Sequence, residues 1–257
     1  MKVKPILIFD FDGVIVDGIL EYWTSSRDAF FELVKRENPI YDLPLAAPQS
    51  FRDLRPWVKY GWEMVLIAAE LTSQNSPLSI SSTCFADNYQ RNCNEALKKW
   101  GWSSQQLQIS LDNVRKRSIK ANKSKWLGSH ILFPGIKELI NQLPKQNIDF
   151  GVLTTKNAQF TAELLTHLNL YPAILYGYEA GSKPSLLLQI SKDRPIQGFI
   201  EDRRATLERV LETPEIDSIT CYLASWGYLK PTDKSNLPSN IILLEPETFA
   251  SPLADWH

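Results

Sequence analysis

One short apolar run, residues 3–10, stands apart from every other strand-like segment of this chain, and its isolation constrains the fold more than any other feature. It is rich in β-branched and aliphatic residues, ends abruptly in Asp10 and Asp12, and is followed by Gly13, so it reads as a buried strand. From about Gly18 to His130 no comparable strand follows. Helical periodicity is predicted there over 19–37, 48–71, 85–99 and 104–120, with Pro-rich and Ser-rich connectors at 38–48 and 72–83. After Phe133-Pro134-Gly135 the pattern switches to alternation. Helices are predicted over 136–143, 157–168, 184–191 and 205–211, and strands over 148–154, 173–176, 196–201 and 218–223, with an edge strand at 241–244. Short apolar strands joined by connections long enough for crossover helices imply a parallel sheet covered on both faces. The expected organisation is an open α/β core, residues 1–17 and 131–257, interrupted after its first strand by a helical insertion, residues 18–130.

Composition narrows the function classes. With 257 residues, 44% apolar and 22% charged, the chain can bury a core and is not disordered or fibrous. Its longest clean apolar run, residues 64–69, falls far short of the roughly 20 residues a spanning helix needs. The N-terminal run is cut by Asp10 and Asp12 before it could serve as a signal peptide, so no membrane partner and a cytoplasmic location are expected. Cys84, Cys93 and Cys221 are odd in number and lack CxxC spacing, which indicates reduced packing residues. A net charge of −1 argues against a nucleic-acid partner, whose binding would rest on many phosphate contacts. The average conceals an asymmetry: the insertion holds 15 Lys/Arg against 11 Asp/Glu, and the core 13 against 18. Six of the insertion's cations lie in residues 115–125; they read first as a solvated helix face, although an electropositive lid would also suit an anionic substrate.

Ligands of open α/β sheets gather at the carboxyl ends of the strands, and the residues that close the predicted strands are polar there. They are Asp10 and Asp12, then Thr154 and Thr155, then Glu201 and Asp202, with Lys183-Pro184 opening a helix between the predicted strands 173–176 and 196–201. Four carboxylates at one end of a sheet repel unless a cation sits among them, and hard divalent ions prefer oxygen donors, so Mg2+ is the expected cofactor. Such an ion keeps positions open for a phosphate oxygen and would draw in a phosphorylated substrate. Thr154, Lys183 and the backbone amides opening the helix near Asn157 are expected to bind the phosphoryl oxygens. Asp10 can attack phosphorus, and Asp12 can exchange protons with the leaving oxygen and then with water.

In these residues the sequence resembles the haloacid dehalogenase superfamily, in its phosphatase-type branch with a helical cap inserted after the first strand. The matching segments are Phe9-Asp10-Phe11-Asp12-Gly13-Val14, Val152-Leu153-Thr154, Lys183-Pro184 and Phe199-Ile200-Glu201-Asp202, in that order along the chain. The resemblance implies a Rossmann-like core with a parallel sheet and an inserted α-helical cap, akin to phosphoglycolate phosphatases and β-phosphoglucomutases. It implies that Asp10 is the nucleophile forming an aspartyl-phosphate and that Asp12 is the general acid/base, whose backbone carbonyl also meets the metal. It further implies that Thr154 and Lys183 hold the phosphoryl group and that Glu201 and Asp202 complete the Mg2+ site. Departures are Thr206 where many relatives carry a further Asp, Arg203 and Arg204 where small residues are common, and Thr155 where Asn or Gly often stands.

The expected activity is Mg2+-dependent hydrolysis of a small phosphorylated metabolite through a phosphoaspartate. A phosphomutase returning the phosphoryl group to a sugar is the alternative, and a non-catalytic binding or regulatory protein on the same fold is the reading from another class. Hydrolytic dehalogenation has no use for Asp12 or the metal acids, all of which are present. Within the insertion, Pro56 and Gly61 interrupt a helical pattern, and Arg55 with Arg52 or Lys59 is expected to read an anionic or hydroxylated substrate tail. Trp23, Trp57, Trp62, Trp100, Trp102 and Trp126 are expected to fill the insertion's own small core.

Overall fold

The computed structural model describes residues 3–34 and 42–256. The chain divides into two units, Met1–Asp17 with Ile131–His257, and Gly18–His130.

The first unit is built on a six-stranded parallel sheet. In chain order its strands are β1 (Ile6–Phe9), then, after a small separate pair β2 (Val16–Asp17) and β3 (Ile131–Leu132), β4 (Asp149–Leu153), β5 (Ile174–Tyr176), β6 (Ile196–Glu201), β7 (Cys221–Ala224) and β8 (Ile241–Leu244). Their spatial order is β5-β4-β1-β6-β7-β8. The isolated N-terminal strand therefore lies in the middle of the sheet, with Leu7 opposite Phe150 of β4 and Gly198 of β6. That position explains its composition: a parallel strand covered on both faces is apolar at every residue, and Ile6, Leu7, Ile8 and Phe9 are all fully buried. On one face Leu186, Leu187 and Ile190 of helix Lys183–Asp193 and Leu207 and Val210 of helix Arg204–Leu211 pack against Ile6, Ile8, Leu153 and Phe199. Burying one of these leucines stabilises the fold by roughly 2 kcal/mol relative to leaving it in water.

Predicted strands and helices in this unit match the observed ones to within a few residues, the largest shifts being the starts of β1, at Ile6 rather than 3, and of β7, at Cys221 rather than 218. The antiparallel pair β2–β3 carried no sequence signal, because two residues per strand are too few to show a period of two. It pairs Val16 with Leu132 and Asp17 with Ile131, tying together the two ends of the chain that lead into and out of the insertion.

The Gly18–His130 unit is helical among its described residues. Its central helix, Gly61–Glu70, contains the run 64–69, and every residue of that run is buried, as befits a helical stretch apolar on all faces. The helix predicted over 48–71 is in fact interrupted: Gln49–Leu54 gives way to a single 3-10 turn, Arg55–Trp57, before Gly61–Glu70 begins. The helix predicted over 85–99 likewise divides into Ser82–Ala86 and Tyr89–Trp100. The last one runs on to Leu127 but loses helical geometry at Asn122 (φ −158°, ψ 87°), whose side chain accepts the Lys125 N–H at 2.9 Å and so caps a new turn. The first helix spans Ile19–Leu33; the remainder of the predicted 19–37 falls mostly outside the described residues. Of the six insertion tryptophans, Trp23 and Trp126 are buried and the other four only partly so, with Trp100 and Trp102 stacked on each other at 4.9 Å. Charge is buried too: Arg115 makes a bidentate pair with Glu21 at 2.8 and 2.9 Å, and both side chains are almost wholly enclosed.

Candidate active site

All the motif residues of the first unit lie at the carboxyl end of its parallel strands. Asp10 directly follows β1 and extends the ladder by donating its N–H to Ile200 O at 2.8 Å. The chain then turns sharply, with the Ile15 and Val16 N–H groups returning to Phe11 O and Gly13 donating to Val16 O. Gly13 sits at φ +95°, a conformation that side chains disfavour. Glu201 closes β6 and Asp202 follows it. Lys183 opens its helix, which begins there because Ser182 accepts the Ser185 N–H at 3.3 Å and Pro184 is pre-organised for a first turn.

These elements bring Asp10, Glu201 and Asp202 together: one carboxylate oxygen of each lies within 4.8 Å of the others, and all three residues are buried. Lys183 bridges two of them, at 2.7 Å from Asp10 Oδ1 and 2.6 Å from Glu201 Oε2. Burial pushes the Asp10 carboxyl up to about 7, a shift that the Lys183 ammonium opposes and Glu201 and Asp12 reinforce. Burial works against the Lys183 charge as well, but Asp10 and Glu201 outweigh it and hold the ammonium above its ordinary range. The remaining Glu201 oxygen accepts the Arg203 N–H at 3.1 Å, and Asp202 Oδ2 accepts the Tyr228 N–H at 2.8 Å.

Asp12 takes a different direction. Its carboxylate is not part of the three-acid group and pairs instead with Lys156, Nζ to Oδ1 at 3.4 Å. Thr154 is buried and accepts the Lys156 N–H on Oγ1 at 3.0 Å, which leaves the hydroxyl its own proton to donate. The helix amides expected to serve phosphate are committed elsewhere. Asn157 Oδ1 takes the N–H groups of Gln159 and Phe160, and Glu179 Oε1 takes that of Ala158 at 3.0 Å, because an Asn at this position is a strong helix cap and an acid suits the positive helix end. Thr155 is exposed.

Two contributors escaped the sequence. Lys156 is almost fully enclosed beside Asp12; the only signal was a lysine two residues beyond Thr154. Tyr228 joins Asp202 to Asp17, donating its N–H to the former and its hydroxyl to the latter at 2.5 Å, and the Trp226 indole N–H donates to Val14 O at 3.1 Å. Of the predicted insertion cations, Arg52 is exposed, Lys59 is partly buried, and the Arg55 guanidinium lies 5.0 Å over the Tyr22 ring.

The sequence matches the family model of haloacid dehalogenase-like hydrolases over residues 5–193. The chain belongs to this family. The match spans β1, the whole insertion and the Lys183 helix, and Glu201 and Asp202 lie beyond it. Solved structures share the fold of this haloacid dehalogenase-like chain along nearly its full length. A predicted phosphatase from Clostridium acetobutylicum superposes with a TM-score of 0.57 at 15% identity, covering 95% of each chain. A predicted phosphoglycolate phosphatase from Haemophilus somnus gives 0.57 at 16% identity over 97% of this chain and 96% of its own. A provisional β-phosphoglucomutase from Thermotoga maritima gives 0.55 at 14% identity over 96% of this chain and 96% of its own. No curated protein matches the sequence.

The donor set fits a hard divalent cation. Three buried carboxylates supply oxygen ligands only, and burial, reinforced by the Glu201 and Asp12 charges, pushes Asp10 toward its neutral form against the opposing Lys183 ammonium.

Proposed function

We propose that this haloacid dehalogenase-like hydrolase is a Mg2+-dependent phosphatase acting on a small phosphorylated metabolite, with Asp10 as nucleophile and Asp12 as general acid/base. The observation that carries the reading is the grouping of Asp10, Glu201 and Asp202 within 4.8 Å, with Asp12 outside that group and paired with Lys156. Asp10, Glu201, Asp202 and the backbone carbonyl of Asp12 would hold the Mg2+, which when bound neutralises acid charge and phosphoryl oxygens alike. Lys183 and the Thr154 hydroxyl bind and orient the phosphoryl group.

In the first half-reaction an Asp10 oxygen bonds to phosphorus while the ester P–O bond breaks, and Asp12 gives its proton to the departing oxygen. In the second, Asp12 takes a proton from water as that water attacks phosphorus, releasing inorganic phosphate and restoring the Asp10 carboxylate. Lys183, shared between Asp10 and Glu201, keeps the nucleophile oriented before attack and faces the negative charge that develops afterwards. The helical unit selects the substrate, with Arg55 together with Arg52 or Lys59 as its candidate cations; Arg52 is exposed and the Arg55 guanidinium lies over the Tyr22 ring. A reduced cytoplasmic setting agrees with free Cys84, Cys93 and Cys221, and no helix among the described residues is long and apolar enough to cross a membrane.

A phosphomutase would use the same residues and the same Glu201-Asp202 pair, differing in passing the phosphoryl group to a sugar hydroxyl rather than to water; product analysis in labelled water separates the two. A purely scaffolding role is disfavoured on energetic grounds. Buried ion pairs are often no more stabilising than apolar residues of the same size, so Asp10, Glu201, Lys183 and Lys156 contribute little as packing. Release of phosphate from p-nitrophenyl phosphate tests the reading. Turnover with Mg2+ that is lost in EDTA and in Asp10→Asn supports it, and turnover indifferent to both overturns it.

A further inference from the structure

We propose that Lys156 is the positioning residue for Asp12, holding one oxygen of the acid in place so that the other delivers and recovers the proton. The inference rests on the phosphatase reading of the site and adds to it a residue outside the matching motif segments.

Lys156 is a built feature rather than a surface cation. Its side chain is 3% exposed, and its ammonium pairs with Asp12 Oδ1 at 3.4 Å. Enclosing a lysine is unfavourable unless its charge is matched, so the ion pair is a condition of the burial. The backbone around it is fixed on both sides. Its N–H is taken by Thr154 Oγ1 at 3.0 Å, and its carbonyl accepts the Tyr178 N–H at 3.2 Å. Gly177 presses so closely on this loop that a Cβ there would lie 2.8 Å from Lys156 O and 2.4 Å from the Ala158 nitrogen. Glu179 reaches back from the same turn to the Ala158 N–H. A loop clamped in this manner places the ammonium with little freedom to wander.

The acid it holds stands two residues from Asp10, close enough in sequence for a freely rotating carboxylate to turn toward the other acids. Pairing Oδ1 with the enclosed Lys156 ammonium restrains that rotation. The two buried lysines thereby divide the work: Lys183 serves Asp10 and Glu201, and Lys156 serves Asp12. Lys156 exchanges no proton in either half-reaction. It remains an ammonium while Asp12 gives its proton to the ester oxygen and later takes one from water.

The test uses the full chain with Mg2+ and two probes, p-nitrophenyl phosphate, whose leaving group departs without protonation, and glycerol 2-phosphate, whose alkoxide needs it. In Lys156→Met, kcat toward glycerol 2-phosphate is expected to fall on the order of 10- to 100-fold, while kcat toward p-nitrophenyl phosphate changes less than about threefold. KM for both stays within about threefold, and Lys156→Arg recovers most of the loss. In an Asp12→Asn background the same Lys156→Met change is expected to cost nothing further, since residues acting as one unit are not additive. Equal losses on both probes, or a full additional loss in the Asp12→Asn background, would overturn the assignment. If Lys156→Met does not fold, the Lys156→Arg and Lys156→Gln ratios between the two probes decide in the same way. Absence of turnover by the unaltered protein on either ester would instead sink the phosphatase reading itself.

Discussion

Gly13 and Asp202 are packed so tightly that a Cβ on the glycine would lie 1.9 Å from the Asp202 Oδ2. On the other side, a Cβ on Gly227 would lie 2.2 Å from the Asp202 Cβ. The acid is wedged between two glycines, one from the turn after β1 and one from the loop after β7. Gly13→Ala therefore meets both a steric conflict and an unfavourable φ of +95°, whereas Gly227→Ala meets the conflict alone. Both variants are expected to lose most phosphatase turnover, with Gly13→Ala also losing about 1–3 kcal/mol of stability. Steady-state kinetics and denaturant melts check this; wild-type turnover in Gly13→Ala would contradict the packing argument.

Lys183 is the shared counter-ion of Asp10 and Glu201, and removing one partner from a buried ion pair strands the other. Lys183→Met is expected to destabilise the protein by roughly 3–5 kcal/mol near pH 8. At pH 5 the penalty shrinks, since Asp10, already raised to about 7 with the lysine in place, protonates readily without it. Turnover is expected to fall by about 100-fold or more at any pH. Urea unfolding at the two pH values, alongside kcat, tests the pair of claims.

The elevated Asp10 carboxyl predicts a proton–metal competition. Its pKa in the folded chain, about 7, lies above the ordinary 3.8, so between these values the folded state holds a proton that the unfolded state has lost. In the metal-free protein this group's stabilising contribution is complete below the lower value and disappears as pH rises through the upper one. Mg2+ binding has the opposite slope, because it requires the ionised carboxylate. Its apparent affinity is expected to weaken about tenfold for each pH unit below 7, and the acid limb of the activity profile should move to lower pH as Mg2+ increases. Calorimetric Mg2+ titrations at several pH values measure the effect; an affinity that is flat between pH 5.5 and 7 would refute it.

Cys84 is exposed, whereas Cys93 and Cys221 are buried. Burial pushes both buried thiols up to about 12, with the Glu63 charge adding to the effect at Cys93. One thiol per chain is expected to react with Ellman's reagent at pH 8 in the native protein, and all three after unfolding in guanidinium. Rapid native labelling of Cys93 or Cys221 would show that the enclosing core opens.

The order of strands and helices in the first unit was readable because each strand is an uninterrupted apolar run closed by a polar residue, a pattern set by the two-sided covering of a parallel sheet. The insertion was harder to read. Pro56 and Gly61 announced a break between 48 and 71, but whether it became a kink or a boundary depended on what the segment packs against. Asn122 gave no warning, since an Asn within a helical pattern is equally well a solvated residue or a cap. The amides at the start of helix Ala158–His167 looked available for phosphate, and Glu179, 21 residues further on, claims one of them.

Sequence by itself determined which polar side chains stand at the strand ends, because the residue closing each strand is a local property. Asp10, Thr154, Glu201 and Asp202 were identifiable on that basis, Asp12 by its place two residues beyond Asp10, and Lys183 by the proline that opens its helix. Only the tertiary structure decided their pairing: that Lys183 belongs to Asp10 and Glu201, that Lys156 belongs to Asp12, and that Gly13 and Gly227 enclose Asp202. Those contacts join residues from different crossovers, so no spacing along the chain encodes them. Their energies come from burial and from charges brought within about 3 Å of each other, conditions that exist only once the sheet has assembled.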